Sequence, residues 1–172
     1  MDAALLVIDM LNDFILPDGA LTCGDAGQVI VPAIRRRLGE ARAQGMPVFY
    51  VCDRHRPDDV EFRIWPPHCV AGTPGAEVVA ELAPQEGDVV VPKRRYSGFF
   101  GSDLEMNLRD FGVREVILTG VCTNICVLYT AADARMRGFG VVVASDCVAS
   151  FDAGAHEWAL KELRGTLNAQ IV

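Results

Sequence analysis

Apolar residues fall in short unbroken runs along this chain, separated by stretches in which they recur every three or four positions. The first run is Ala3 to Ile8, closed by Asp9, and an apolar run without alternation is what a central strand covered on both faces requires. Pro47–Cys52, Asp88–Pro92, Glu115–Gly120 and Phe139–Ala144 repeat the pattern, and Ala169–Val172 reads as a last short strand. Between them, Val29, Ile30, Ala33, Ile34, Leu38 and Ala41 keep helical spacing up to Gly45. A helical turn is predicted at Ala76–Leu82. Further helices are predicted at Ser102–Phe111 (capped by Ser102 and followed by Gly112), Thr123–Arg137 and Ala153–Leu163. Leu11–Asp25 and Asp53–Gly75 carry no period and read as loops.

Strand and helix therefore alternate, which predicts an α/β fold: a Rossmann-like parallel sheet flanked by helices on both faces, in a single domain over residues 1–172. In a parallel sheet every strand ends on the same edge, and ligands bind there. Asp9, Lys93 and Cys126 all stand at strand ends or just beyond. A structureless loop as long as residues 53–75 is usually functional, and two of the chain's histidines lie in it.

Composition narrows the chemistry. Hydrophobic residues make up 51% and charged residues 23%, with a net charge of −7. The short basic clusters Arg35–Arg37 and Lys93–Arg95 supply no extended positive surface, which argues against nucleic-acid binding. No apolar stretch is long enough to span a membrane and no secretory signal is visible, so a cytoplasmic protein is expected. The six cysteines include no CxxC pair, which fits reduced thiols better than a disulfide framework, a zinc finger or a thioredoxin-like site.

A cysteine in the first turn of a helix faces unpaired N–H groups and the positive dipole end, both of which are expected to lower its thiol pKa. Cys126 occupies such a position, and those N–H groups could also receive an oxyanion. The plainer reading is a small buried core residue. Lys93 would favour a thiolate, and Asp9 could take the thiol proton and return it to a leaving group. Singly, a strand-end Asp is more often a cap and a strand-end Lys is usually solvated. Their conjunction with Cys126 is what points to nucleophilic catalysis.

Val7-Ile8-Asp9-Met10-Leu11-Asn12-Asp13-Phe14, then Lys93, then Gly120-Val121-Cys122-Thr123-Asn124-Ile125-Cys126-Val127 resembles the isochorismatase-like cysteine hydrolases over essentially the whole chain. The resemblance implies an Asp9–Lys93–Cys126 triad and a cis peptide at Val121-Cys122, with the N–H groups of Cys122 and Cys126 as the oxyanion hole. Asp53-Arg54-His55 and the segment Trp65 to Ala76 are similar to the metal-binding signature of nicotinamidases. That likeness implies a divalent metal, zinc or alternatively iron or manganese, on Asp53, His55 and His68. Glu61 stands where many of those enzymes have a further histidine and is carried as a fourth ligand, with Asp59 as its competitor. Cys69 is left out because alternation turns it away from His68. Phe14, Trp65, Tyr96 and Val121 match substrate-pocket positions, although core packing would also explain Phe14.

These likenesses imply hydrolysis of nicotinamide to nicotinate and ammonia through a thioester on Cys126, in a protein that is commonly a homo-oligomer. Competing readings are a metal-independent amidohydrolase on a carbamoyl or ureido substrate (N-carbamoylsarcosine amidase-like), an isochorismatase-like hydrolase, and a non-catalytic small-molecule binder. A redox thiol protein is disfavoured by the missing CxxC.

Overall fold

Ala3–Ile8 forms strand β1, and all but its first residue are buried, as its unbroken apolar run requires. The computed structural model describes residues 2–172. A short helix α1 (Asn12–Ile15) lies in the stretch expected to be loop, α2 (Gly24–Val29) begins at its end and runs beyond it, and α3 (Val31–Ala43) follows with Pro32 in its first turn. Strand β2 (Val48–Asp53) is buried along its whole length. Short 3₁₀ turns at Val60–Arg63, Pro74–Ala76 and Ala80–Leu82 break up the long connection to β3 (Val89–Lys93). Then come α4 (Leu104–Asp110), β4 (Glu115–Val121), a π-type turn at Thr123–Val127, α5 (Leu128–Met136), β5 (Gly140–Ala149), α6 (Ala153–Gly165) and β6 (Gln170–Ile171).

The six strands form one sheet in the order β3-β2-β1-β4-β5-β6, and every pairing is parallel. The chain winds outward from β1 in one direction through β3 and in the other from β4 through β6. The crevice between β1 and β4 is therefore the topological switch point at which such sheets bind ligands. Alternate residues of β1 supply two cores: Leu5 and Val7 pack towards α3, and Ala4, Leu6 and Ile8 pack towards α4 and α5. Among the described residues, no helix is long and apolar enough to cross a membrane.

Two departures from expectation bear on the site. Strand β5 does not stop at Ala144 but continues to Ala149, and its register with β4 slips between Leu118 and Gly120. The slip turns Ser145 and Asp146 out to solvent, where Asp146 pairs with Arg36 and Arg37. Gly120, opposite Ile8 in the ladder, has φ of +107°, and a Cβ there would lie 1.9 Å from the Ile8 carbonyl oxygen. Only glycine lets β4 approach β1 this closely.

Candidate active site

Asp9 is the first residue past β1 and adopts a left-handed backbone (φ 53°), a conformation that Asp tolerates better than most residues. Asp53 and Lys93 are the last residues of β2 and β3 and face each other in the ladder. Strand β2 lies between β1 and β3, so the Lys93 side chain reaches over Asp53 to Asp9. Its Nζ donates to Asp53 Oδ1 at 2.5 Å and to Cys126 Sγ at 3.4 Å. It also sits 2.8 Å from Asp9 Oδ2 as an ion pair without an aligned hydrogen bond. Asp9 Oδ1 accepts the Asp53 backbone N–H at 2.7 Å. Cys126 lies in the π-type turn after β4, where the Val127 N–H bonds back to the Cys122 carbonyl. The Val121–Cys122 peptide is cis, as the resemblance implies.

The electrostatics overturn one expectation. Burial pushes the Cys126 thiol well above its ordinary pKa, and Lys93 opposes this without overcoming it. The helix start therefore does not leave a resting thiolate, because the one ammonium is already shared by two carboxylates. Burial first, and then the charge of Asp53, raise Asp9 to about 6, with Lys93 pulling the other way. Asp53 is driven below the usual carboxylate range: burial works against ionisation, but the charge of Lys93 and its hydrogen bond, with the two histidines nearby, outweigh it. Lys93 stays charged, since Asp53 and Asp9 more than offset its desolvation. The group at rest is a thiol close to a carboxylate, their ligand atoms within 4.8 Å, with an ammonium beside both. Such an arrangement can move the sulfur's proton onto Asp9 as the sulfur attacks.

The other oxygen of Asp53 turns to the histidines. Asp53 Oδ2 lies 3.5 Å from His55 Nε2 and 3.8 Å from His68 Nε2. His68 Nδ1 donates to the Pro66 carbonyl at 2.7 Å and His55 Nδ1 donates to Asp59 Oδ2 at 3.3 Å, so in the neutral rings both Nε2 atoms are bare lone pairs. His55 is fully buried, and its Nε2 has no hydrogen-bond partner. Burial lowers the His55 pKa, but the neighbouring carboxylates Asp53, Asp59 (which accepts from Nδ1) and Glu61 raise it by more, so the pocket attracts positive charge. Two bare imidazole nitrogens and a carboxylate oxygen, all within 4.8 Å of one another, are a donor set that suits zinc, iron(II) or manganese. Glu61 Oε1 is on the same side, 3.9 Å from His55 Nε2, whereas Asp59 is on the Nδ1 side. Cys69 joins the apolar cluster beneath instead. Asp9, Asp53 and Cys126 also converge, but Lys93 Nζ fills their centre.

Between the thiol and His68 lies a narrow cavity. Phe14, Trp65, Tyr96 and Val121, all expected at the pocket, line it together with Asp9, Asp53, Glu61, His68, Cys122 and Cys126. Trp65 Nε1 donates to the Tyr96 hydroxyl at 3.0 Å, and the Phe14 ring stands 5.4 Å from that of His68. His55 supports the cavity from behind. Three lining residues were not anticipated: Leu21, Ile125 and Phe151. Phe151 arrives because β5 runs five residues past its expected end, and no local pattern signals that. Asp13 is a further unanticipated support, since its Oδ2 accepts the Cys69 N–H at 2.7 Å and so ties the histidine loop to the segment after β1.

The model of the isochorismatase domain matches residues 3–172. This chain belongs to the isochorismatase family. It is 41% identical to the uncharacterized isochorismatase family protein PncA of Bacillus subtilis (strain 168), with 99% of each chain covered. Among solved structures, the nicotinamidase/pyrazinamidase PncA from Bacillus subtilis superposes with a TM-score of 0.96 at 39% identity, covering 100% of both chains. The N-carbamoylsarcosine amidase from Thermoplasma acidophilum is also 39% identical, with a TM-score of 0.90 over 99% of this chain and 95% of that one. The pyrazinamidase of Pyrococcus horikoshii, solved in complex with zinc, gives 0.93 at 35% identity over 100% and 99%. The chain is an isochorismatase-family hydrolase, and the geometry has to discriminate among substrates that family similarity alone leaves close together.

Proposed function

We propose that the protein is a nicotinamidase-like amidohydrolase that converts nicotinamide to nicotinate and ammonia. One observation carries this reading over a ureido or carbamoyl acid: the cavity wall holds Asp9, Asp53 and Glu61 but no lysine or arginine. A substrate bearing its own carboxylate would find no arginine or lysine on that wall to pair with and would face three carboxylates, which disfavours it. A neutral, flat aromatic amide meets no such penalty and would lie among Phe14, Trp65, Tyr96 and Phe151.

On this reading Asp9 accepts the Cys126 proton as Sγ attacks the carboxamide carbon. Lys93, held beside both groups, stabilises the negative charge as it passes from sulfur to oxygen. The Cys122 and Cys126 N–H groups are assigned to the oxyanion. Asp9 returns the proton to the departing ammonia and leaves a thioester on Cys126. Asp9 then takes a proton from water as the water attacks and returns it to Sγ as the C–S bond breaks. Nicotinic acid loses its own proton to solvent, and nicotinate departs from a cavity whose acidic lining repels the newly formed anion. Asp53, His55 and His68, with Glu61 beside them, would hold a divalent metal, zinc being the metal present in the Pyrococcus relative. When bound, it supplies a Lewis-acid anchor for a ring nitrogen.

The test is ammonia release from nicotinamide, N-carbamoylsarcosine and ureidoacrylate by one zinc-loaded preparation. Nicotinamide should be favoured in kcat/KM by at least about 100-fold, the discrimination expected when a buried charge is left unpaired. Equal or faster turnover of either acid would overturn the assignment.

A further inference from the structure

Asp59 faces in two directions. Its Oδ2 accepts from His55 Nδ1 at 3.3 Å, while its Oδ1 accepts from Arg95 Nη1 at 3.0 Å and from the Glu61 backbone N–H at 3.1 Å. The Asp59 side chain is 2% exposed and that of Arg95 is 35% exposed, so a buried carboxylate is answered by a guanidinium that enters from the solvent side. The same Nη1 lies 3.6 Å from Glu61 Oε2, and the other Glu61 oxygen lies 3.9 Å from His55 Nε2. It also donates to the Arg94 carbonyl, which fixes it close to its own backbone. Arg95 leaves the chain two residues past Lys93, at the end of β3. One guanidinium thus crosses from the sheet edge to the histidine loop and holds the two carboxylates that flank the two nitrogens of one imidazole.

We propose that Asp59 and Arg95 are positioning residues for the metal centre. Asp59 fixes the His55 ring with its proton on Nδ1, leaving Nε2 bare and aimed at Asp53 and His68. Arg95 holds Asp59 and Glu61 in place and neutralises charge that burial would otherwise penalise. The assignment separates two carboxylates two residues apart. Asp59 orients a ligand and does not touch the metal, while Glu61 stands on the ligand side. It rests on the metal-centre reading above.

The experiment is zinc titration of the apoprotein against a chromophoric chelator, with the visible spectrum of the cobalt-substituted protein as a second readout. Asp59→Ala should weaken zinc binding about 10–100-fold and alter the cobalt bands, as expected when the partner of a ligating histidine is lost. Arg95→Met, at a half-exposed position, should weaken it towards the low end of that range. Asp59→Asn keeps an acceptor for Nδ1 but loses the ion pair with Arg95, so it should fall between wild type and Asp59→Ala. The thermal midpoint of each apoprotein separates loss of fold from loss of site, and Arg95→Met carries the test if Asp59→Ala does not fold. His55→Ala is the reference for loss of a ligand. Should wild type bind zinc no more tightly than His55→Ala, the metal-centre reading and this inference fall together. Should wild type bind tightly, His55→Ala weakly, and both Asp59→Ala and Arg95→Met like wild type, the inference alone is overturned.

Discussion

The cavity has two walls built in different ways. On one side Asp9, Asp53 and Lys93 end three neighbouring strands, so a continuous parallel ladder of backbone hydrogen bonds sets their spacing. On the other side His55 and His68 belong to a segment joined to itself by one bridge, His55 to Val70, and otherwise held by local turns and by side chains. Asp13 grips the Cys69 N–H, Asp59 grips His55, and His68 leans on the Pro66 carbonyl. The sheet holds groups whose separation must be right to a fraction of an ångström for proton transfer. The loop holds a donor set that a bound cation can draw together. Asp53 belongs to both walls, with Oδ1 on Lys93 and Oδ2 towards the histidines.

Removing the sulfur tests the sheet wall alone. Cys126→Ala should reduce kcat by about 10⁴-fold or more, as for other nucleophiles acting as part of a unit. It should leave zinc affinity unchanged, and a large change in that affinity would show that the two walls are not independent.

Asp53→Asn should break both walls at once. Zinc affinity should fall by more than about 100-fold, since a charged ligand is lost along with its hold on the histidines. The sign for the thiol is opposite to simple damage. Asp53 raises the Cys126 pKa, so its neutralisation frees Lys93 to favour the thiolate and lowers that pKa. The rate of Cys126 alkylation by iodoacetamide, followed against pH by mass spectrometry, should shift to lower pH in this variant. An unshifted profile would mean that Asp53 does not share the Lys93 charge.

Asp13→Ala touches the loop wall alone and should have the smallest effect. Loss of a charged acceptor for the Cys69 N–H is worth about 1.5–3 kcal/mol locally. Zinc affinity should drop by roughly 10-fold, the low end of what supporting residues contribute, while the alkylation profile of Cys126 stays in place. A shifted profile would refute the division between ladder and loop.

The two walls were also unequally legible. The unbroken runs ending at Asp9 and Lys93 predict strands, and alternation with helices predicts that all strands end on one edge, so Asp9, Lys93 and Cys126 could be placed together before any coordinate was known. The histidine loop was recognisable only by family likeness, because nothing periodic marks it. Even then, nothing in Asp59-Val60-Glu61 tells which carboxylate faces which nitrogen of His55. That depends on a 3₁₀ turn capped by Asp59 itself.

Local pattern, then, determined the elements, the edge at which chemistry collects, and the identity of the thiol, ammonium and carboxylate that meet there. These follow from burial on both faces of a strand and from the geometry of parallel connections, which any stretch of chain expresses in its own residues. Tertiary structure decided what those groups are at rest. Burial raises the Cys126 thiol where a helix start alone would lower it, and because the strand order puts Asp53 between Asp9 and Lys93, the ammonium that would oppose this is divided between two carboxylates. It also decided that a slipped β5 delivers Phe151 to the cavity. Charge balance and desolvation depend on which buried groups become neighbours, and spacing along the chain carries no record of that.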